Sequence, residues 1–163
     1  MVESKPCEEP RIRVGVSTCL LGERVRYDGG HKHDRYVTDV LGQYVDEWVP
    51  VCPEVESGLP IPRESMRLVG DPENPRLIMP RSGTDQTERM MTFTRVKLDE
   101  LAQAKLNGFI FKKNSPTSGA FRVKVYDKNG VPSASGSGLF AGAFMKRFPH
   151  LPVEEEGRLH DLP

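Results

Sequence analysis

Cysteine is scarce in this chain, and what little there is comes in an odd number, three in 163 residues. A secreted disulfide scaffold needs paired thiols at close spacing, so the count speaks against one and for a reducing cytoplasm. Net charge is absent as well. Lys plus Arg and Asp plus Glu number 23 each, which leaves no overall field to recruit a nucleic-acid duplex or an anionic membrane. No apolar run approaches the about 20 residues of a membrane span. The first ten residues are polar, carry Pro6 and Pro10 and lack the hydrophobic core of a signal peptide; they are expected to form a flexible leader, with Cys7 incidental within it. Internal repeats are missing too. What remains, 37% hydrophobic and 28% charged residues, suits one soluble globular domain over residues 11–163.

Strand and helix signals alternate along that domain, as a βαβ architecture requires. Strand-like runs cover Arg11 to Ser17, Glu47 to Val51 and Phe109 to Lys112. Helical spacing of Tyr36, Val37, Val40, Leu41 and Tyr44 predicts a helix from Asp34 to Val45, with Asp34 as N-cap. A longer helix is expected from Gln86 to Asn107, with Asp85 and Glu88 at capping-box spacing and Gly108 as the stop. Between them, the prolines of Pro53 to Pro80 exclude long regular structure, although Met66–Val69 and Arg76–Met79 can pair around the turn at 71–75. Arg122 to Tyr126 followed by Asp127-Lys-Asn-Gly130 predicts a β-hairpin near the C-terminus. A last helix should begin near Ser137 or Gly138 and end before Pro149. The charged run Val153 to Gly157 offers no obvious closing element. The expected fold is α/β and Rossmann-like, a single domain with a small, mostly parallel sheet flanked by helices.

Two of the cysteines occupy matching places in that scheme. Cys19 follows the first strand-like run and Cys52 follows the second directly, ahead of Pro53 and Glu54. In open parallel sheets, the loops at the carboxyl ends of neighbouring strands converge on one crevice, where ligands bind. The third run leads there into Lys113-Asn-Ser-Pro-Thr-Ser-Gly119. Each cysteine alone reads as a small buried apolar residue; placed alike after adjacent strands, the pair reads as a site. Zinc-finger and zinc-ribbon readings fail on spacing. A two-cysteine zinc or iron site completed by a histidine from the 31–33 loop stays open. Asp28 and His31, after a glycine-rich turn, can meet a ligand or belong to a solvated loop. Ser17, Thr18, Ser115 and Thr117 can bind a polar ligand or serve turn geometry. Arg63, Glu64, Arg67 and Glu73 read as solvated surface. The run Gly136 to Gly142 has glycines like a dinucleotide fingerprint, but it does not follow the first strand, which speaks against that role.

Several segments carry a resemblance. Gly15-Val-Ser-Thr-Cys-Leu-Leu-Gly22, Arg26-Tyr-Asp-Gly-Gly30, Val51-Cys-Pro-Glu-Val55 with Gly58-Leu-Pro60, Lys113 to Gly119, Gly138-Leu-Phe-Ala141 and Phe148 to Leu159 resemble, in that order, the YbbK-like family, first catalogued as a domain of unknown function and represented by thiouracil desulfidases. The resemblance implies a [4Fe-4S] cluster held by three cysteines, with the fourth iron open to the sulfur of a small thiolated base. It places Cys19 and Cys52 among the ligands. Glu54, directly after Cys52 and Pro53, reads from its position as the nearby carboxylate for proton transfer at the departing sulfur or at water, or else as an exposed loop acid. The third ligand of the family lies in a loop of the form Ser-Pro-Ser-Cys-Gly, where this chain has Ser115-Pro-Thr-Ser-Gly119. Ser118 stands in the cysteine's place, and a hydroxyl is a poor exchange for a soft thiolate. The cluster is therefore expected to be weakened or lost, and the alternative is a non-catalytic binding or interaction module. Longer members carry a C-terminal domain of the YbgA type, absent from this sequence; a homodimer is the other expectation for its partners.

Overall fold

The computed structural model describes residues 9–161, so Cys7 and most of the expected leader lie outside the described residues. Two four-stranded sheets organise the chain. The first has the order β2-β1-β5-β8, formed by β1 (Arg13–Ser17), β2 (Glu47–Val51), β5 (Gly108–Phe111) and β8 (Val153–Glu155). All of its pairings are parallel. The second is mixed, with the order β4-β3-β6-β7, from β3 (Arg67–Val69), β4 (Arg76–Ile78), β6 (Val123–Tyr126) and β7 (Pro132–Gly136). β3 pairs antiparallel with β4 and β6 with β7, as the turn signals at 71–75 and 127–130 predict. The parallel pairing of β3 with β6 joins these two hairpins into one sheet.

Residue alternation in β1 and β5 divides the core. Val16 and Ile110 pack with Leu20 and Val37 on one face. Phe109 and Phe111 turn to the other, where they stack at 4.1 Å between ring centroids and meet Phe140 and Phe144. Burying each of these rings contributes roughly 2–3 kcal/mol. Gly15 pairs with Phe109 across the strands, and a Cβ there would stand 2.2 Å from the Phe109 ring. The absence of a side chain at residue 15 is what lets that ring lie flat over β1.

Two helices cover the aromatic face: α2 (Thr87–Ala104) and α3 (Leu139–Arg147). α2 buries Met90, Thr94, Leu98 and Leu101, one stripe at helical spacing. Asp85 caps it by accepting the Thr87 N–H at 2.9 Å. It stops at Ala104, ahead of the expected Asn107, because Lys105 turns left-handed at φ 53°. Asn107 is needed in the sheet instead: its N–H donates to Arg13 O at 2.7 Å, and its Oδ1 accepts the Arg13 N–H at 2.9 Å.

Two expectations need correction. The segment Asp34 to Val45 is not one amphipathic helix but a wide π-helical turn, Tyr36–Val40, running into a 3-10 turn, Leu41–Gln43. The Leu41 N–H is shared between the carbonyls of Tyr36 and Val37 where the coil narrows. That change of pitch breaks the apolar stripe, so Val37 is buried while Val40 and Tyr44 face solvent. Asp34 does cap the turn, accepting the Val37 N–H at 3.1 Å. The second correction is at the C-terminal end. Val153 to Gly157 supplies β8 and the start of the short helical turn that follows it, Glu156–Leu159, closing the parallel sheet beside β5. Charge hid this strand, because its glutamates are held by partners rather than by water. Glu155 is buried and accepts the Ala120 N–H at 3.1 Å.

Candidate functional site

The carboxyl ends of β1, β2 and β5 deliver their loops to one cavity of about 260 Å³. Cys19 sits in the 3-10 turn Thr18–Leu21 directly after β1. Its carbonyl accepts the N–H groups of Gly22 at 3.2 Å and Lys32 at 3.1 Å, which fixes the turn. Cys52 occupies the N-cap position of the short helix Pro53–Glu56, in extended conformation with Pro53 behind it. Its N–H donates to Glu56 Oε2 at 2.7 Å. Both cysteines line the cavity, and so does Ser118 from the third loop.

The third loop is wired from within. Ser115 Oγ accepts the N–H groups of Thr117 at 3.3 Å and Ser118 at 3.0 Å. α3 holds it from behind: the N–H groups of Phe140 and Ala141 both donate to the Thr117 carbonyl at 3.0 Å. Gly138 permits this approach, since a Cβ there would stand 2.4 Å from the Thr117 carbonyl carbon. The loop is tied to its neighbours by side chains. Ser17 Oγ accepts the Lys112 N–H at 2.9 Å, and the Thr117 hydroxyl donates to Glu54 Oε1 at 2.7 Å. Thr117 donates its proton to the carboxylate, so at 3.2 Å the Ser115 hydroxyl is left to donate to Thr117.

Glu64, read as surface from the sequence, also lines the cavity, its Oε2 accepting the Ser82 N–H at 3.0 Å, but the carboxylate beside Cys52 is Glu54. Its Oε2 lies 3.6 Å from Cys52 Sγ and 4.0 Å from Arg63 Nη2. Burial pushes both thiols up from their ordinary range. Cys52 reaches about 12, with burial the larger cause and the Glu54 charge the next. At Cys19, burial outweighs the opposing charges of Lys112 and Arg26. Both thiols are thus protonated at neutral pH in the bare protein, and a bound cation is what would draw off their protons.

Ser17, Thr18, Glu54, Ser115, Cys19, Cys52 and Ser118 all face the cavity. Thr117 does not; it is fully buried behind Glu54, where it orients the carboxylate. Asp28 and His31 also stand outside the lining. Asp28 is spent on its own turn, accepting the Gly30 N–H at 2.9 Å, a bond that holds its carboxyl below the usual range. His31 Nδ1 accepts the His33 N–H at 3.0 Å in an exposed loop. His33 Nε2 is paired with the Thr38 hydroxyl at 2.9 Å, and neither histidine of the 31–33 loop lines the cavity that holds the two cysteines. Arg63 is not solvated surface. Its side chain is 4% exposed and lines the cavity, donating to Val25 O at 2.9 Å and Pro60 O at 3.2 Å. Arg67 lies over the Tyr126 ring at 4.5 Å. Lys112, which the sequence shows only as the end of the third strand-like run, lines the cavity too, with its Nζ paired to Glu156 at 2.7 Å. The Arg63 backbone N–H donates to Tyr27 O at 2.8 Å, so the segment after Pro62 lies along the loop that follows β1, a pairing with no local signal in the sequence.

The donor chemistry fits an iron–sulfur cluster at two positions and falls short at one. Cys19 and Cys52 offer soft sulfur from two strand ends, and Ser118 offers a hydroxyl that has no hydrogen-bond partner among the described residues. Thiolates are the usual holders of such clusters.

The comparisons with known proteins follow the same line. The family model of 2-thiouracil desulfurase matches residues 14–156. Among solved structures, a [4Fe-4S]-dependent thiouracil desulfidase, TudS, superposes with a TM-score of 0.71 at 29% identity, covering 93% of this chain and 95% of the other. A search of curated proteins gives no match. With the family model spanning β1 to β8 and all three site loops, the chain belongs to the 2-thiouracil desulfurase family.

Proposed function

We propose that this protein removes sulfur from a small thiolated base such as thiouracil, in the cavity between Cys19, Cys52, Ser118 and Glu54. The observation that carries this reading is the convergence of two thiols from separate strand ends, with the Glu54 carboxylate beside one of them, on a single cavity. Cys19 and Cys52 would hold a [4Fe-4S] cluster, with Ser118 as a weak third contact. When bound, such a cluster supplies a Lewis-acidic iron with affinity for thiocarbonyl sulfur.

The chain's own residues do the rest. Glu54 Oε1 is occupied by Thr117, so Oε2, beside Cys52 and Arg63, is the oxygen that moves the proton. It takes a proton from the water that attacks the carbon bearing sulfur and returns it to the departing sulfur. Atoms balance as thiouracil plus water giving uracil plus hydrogen sulfide, with no change of oxidation state. Ser17 ties the end of β1 to Lys112 at the end of β5, Ser115 fixes its own loop, and the apolar wall of Val25, Tyr27 and Met66 receives the face of the base.

Ser118 favours a second reading, a binding module that kept the fold and gave up the cluster. Anaerobic reconstitution with iron and sulfide, followed by incubation with 2-thiouracil, separates the two. Uracil and sulfide forming in equal amounts support the desulfidase. Base binding without sulfide release supports the module.

A further inference from the structure

Arg63 makes fewer bonds than its burial demands. Two of its N–H groups reach the carbonyls of Val25 and Pro60, while its Nε is buried with no partner. Its nearest opposite charge, Glu54 Oε2, stands 4.0 Å away, too far for a hydrogen bond. The side chains are 4% and 15% exposed. Such a pair has lost its water without closing its own contact, an arrangement that costs free energy unless a third group completes it. Glu54 Oε1 is already filled by Thr117. A donor and an acceptor therefore stand side by side on the wall that carries Cys52.

We propose that Arg63 and Glu54 together read the N3/C4 edge of the bound base, Arg63 donating to the C4 carbonyl oxygen and Glu54 Oε2 accepting the N3–H with one lone pair, the other lone pair staying open to the proton of the attacking water. This rests on the desulfidase reading and narrows its substrates to bases with an N3–H next to a C4 carbonyl, the one such edge of 2-thiouracil. At that edge a cytosine ring presents the reverse pattern, an amino donor beside a bare ring nitrogen, and meets like against like. The planar guanidinium suits this task because it can keep its two backbone carbonyls while aiming a further N–H at the ligand. Sites built to hydrogen-bond a polar group reject ligands that lack it, because the buried partners are left unpaired.

The test uses the full chain without a cluster and bases methylated at N1, which masks the second N–H/carbonyl edge that free cytosine and 3-methyluracil share with uracil; none carries sulfur or needs iron. Calorimetry should show 1-methyluracil binding about tenfold or more tighter than 1-methylcytosine or 1,3-dimethyluracil. Arg63→Gln should cut the preference for 1-methyluracil over 1-methylcytosine to less than about threefold, because an amide can donate or accept. If the loss of the Val25 and Pro60 bonds unfolds that variant, Arg63→Lys keeps the charge and should weaken 1-methyluracil about tenfold. The 1,3-dimethyluracil comparison needs no variant at all. Absence of 1-methyluracil binding, equal binding of the three bases, or a folded variant with the wild-type preference each overturns the proposal. Sulfide release is measured separately on reconstituted protein. Discrimination without sulfide release would leave the edge reading standing and sink the activity; sulfide release without discrimination would sink the edge reading alone.

Discussion

The Thr117 hydroxyl donates to Glu54 Oε1 at 2.7 Å, joining residues 63 positions apart. This bond ties the loop after β5 to the loop after β2 and leaves the other carboxylate oxygen for the cavity. Thr117 is wholly buried, so its replacement tests position rather than solvent contact.

Thr117→Val keeps the shape and removes the donor. Stability should fall by about 1–3 kcal/mol, the usual cost of leaving a buried acceptor unpaired. Sulfide release by the reconstituted protein should fall as well, because Glu54 loses its fixed orientation. Urea unfolding and a sulfide assay read the two effects. A variant that is fully stable and fully active would remove Thr117 from the site.

Gly15→Ala should destabilise by about 1–3 kcal/mol through overpacking. Its new Cβ meets the Phe109 ring at 2.2 Å, and that ring is wedged among Phe111, Phe140 and Phe144. A thermal or urea midpoint that does not move would show that the aromatic face has slack.

Glu155 gives a pH signature. Burial raises its carboxyl above the ordinary range, against the N–H bonds from Ala120 and Phe121. A raised acid favours folding while protonated, so its contribution is full below the ordinary carboxylate range and is lost as pH rises through the raised value. Stability should therefore decline across that window, from about pH 4 upward. Glu155→Gln keeps a carbonyl acceptor for the Ala120 N–H and should abolish this part of the decline. Unfolding midpoints of both proteins against pH decide it; identical slopes would contradict the assignment.

The raised thiols predict slow alkylation. Only thiolate reacts, and Cys52 is pushed up to about 12. At about pH 8, close to the ordinary thiol range, folded cluster-free protein should be modified at Cys52 at least about tenfold more slowly than urea-unfolded protein. Peptide-resolved mass spectrometry after iodoacetamide treatment measures this. Equal rates would mean that the cavity does not bury the thiol.

Much of this was legible in the sequence for local reasons. β1 and β2 end just before Cys19 and Cys52 because apolar runs stop there, and parallel strands bring such ends together whatever their spacing. The hairpin β6–β7 announced itself through Asp127 to Gly130, and α2 through its stripe and the Asp85 cap. The residues that escaped are those whose meaning depends on distant partners. β8 is charged and became legible only when Ala120, Lys112 and Arg158 were seen to hold its end and the turn after it. Arg63 looked like surface because nothing in Pro60 to Glu64 shows that Val25 and Glu54 lie beside it. Asp28 and His31 erred in the other direction, their polar groups being spent on their own turns.

Ser118 decides whether the cavity works as a cluster site. Iron and acid-labile sulfide per chain, together with sulfide released from 2-thiouracil, should be measured side by side on reconstituted wild type and Ser118→Cys. The hydroxyl faces the same cavity as Cys19 and Cys52, so a thiol there completes the soft donor set. The variant is expected to hold a stable cluster and to release sulfide at least about tenfold faster, in line with the difference between a thiolate and an alcohol as a ligand. A Ser118→Cys protein that binds no more iron and releases no more sulfide than the wild type would contradict the assignment of this cavity.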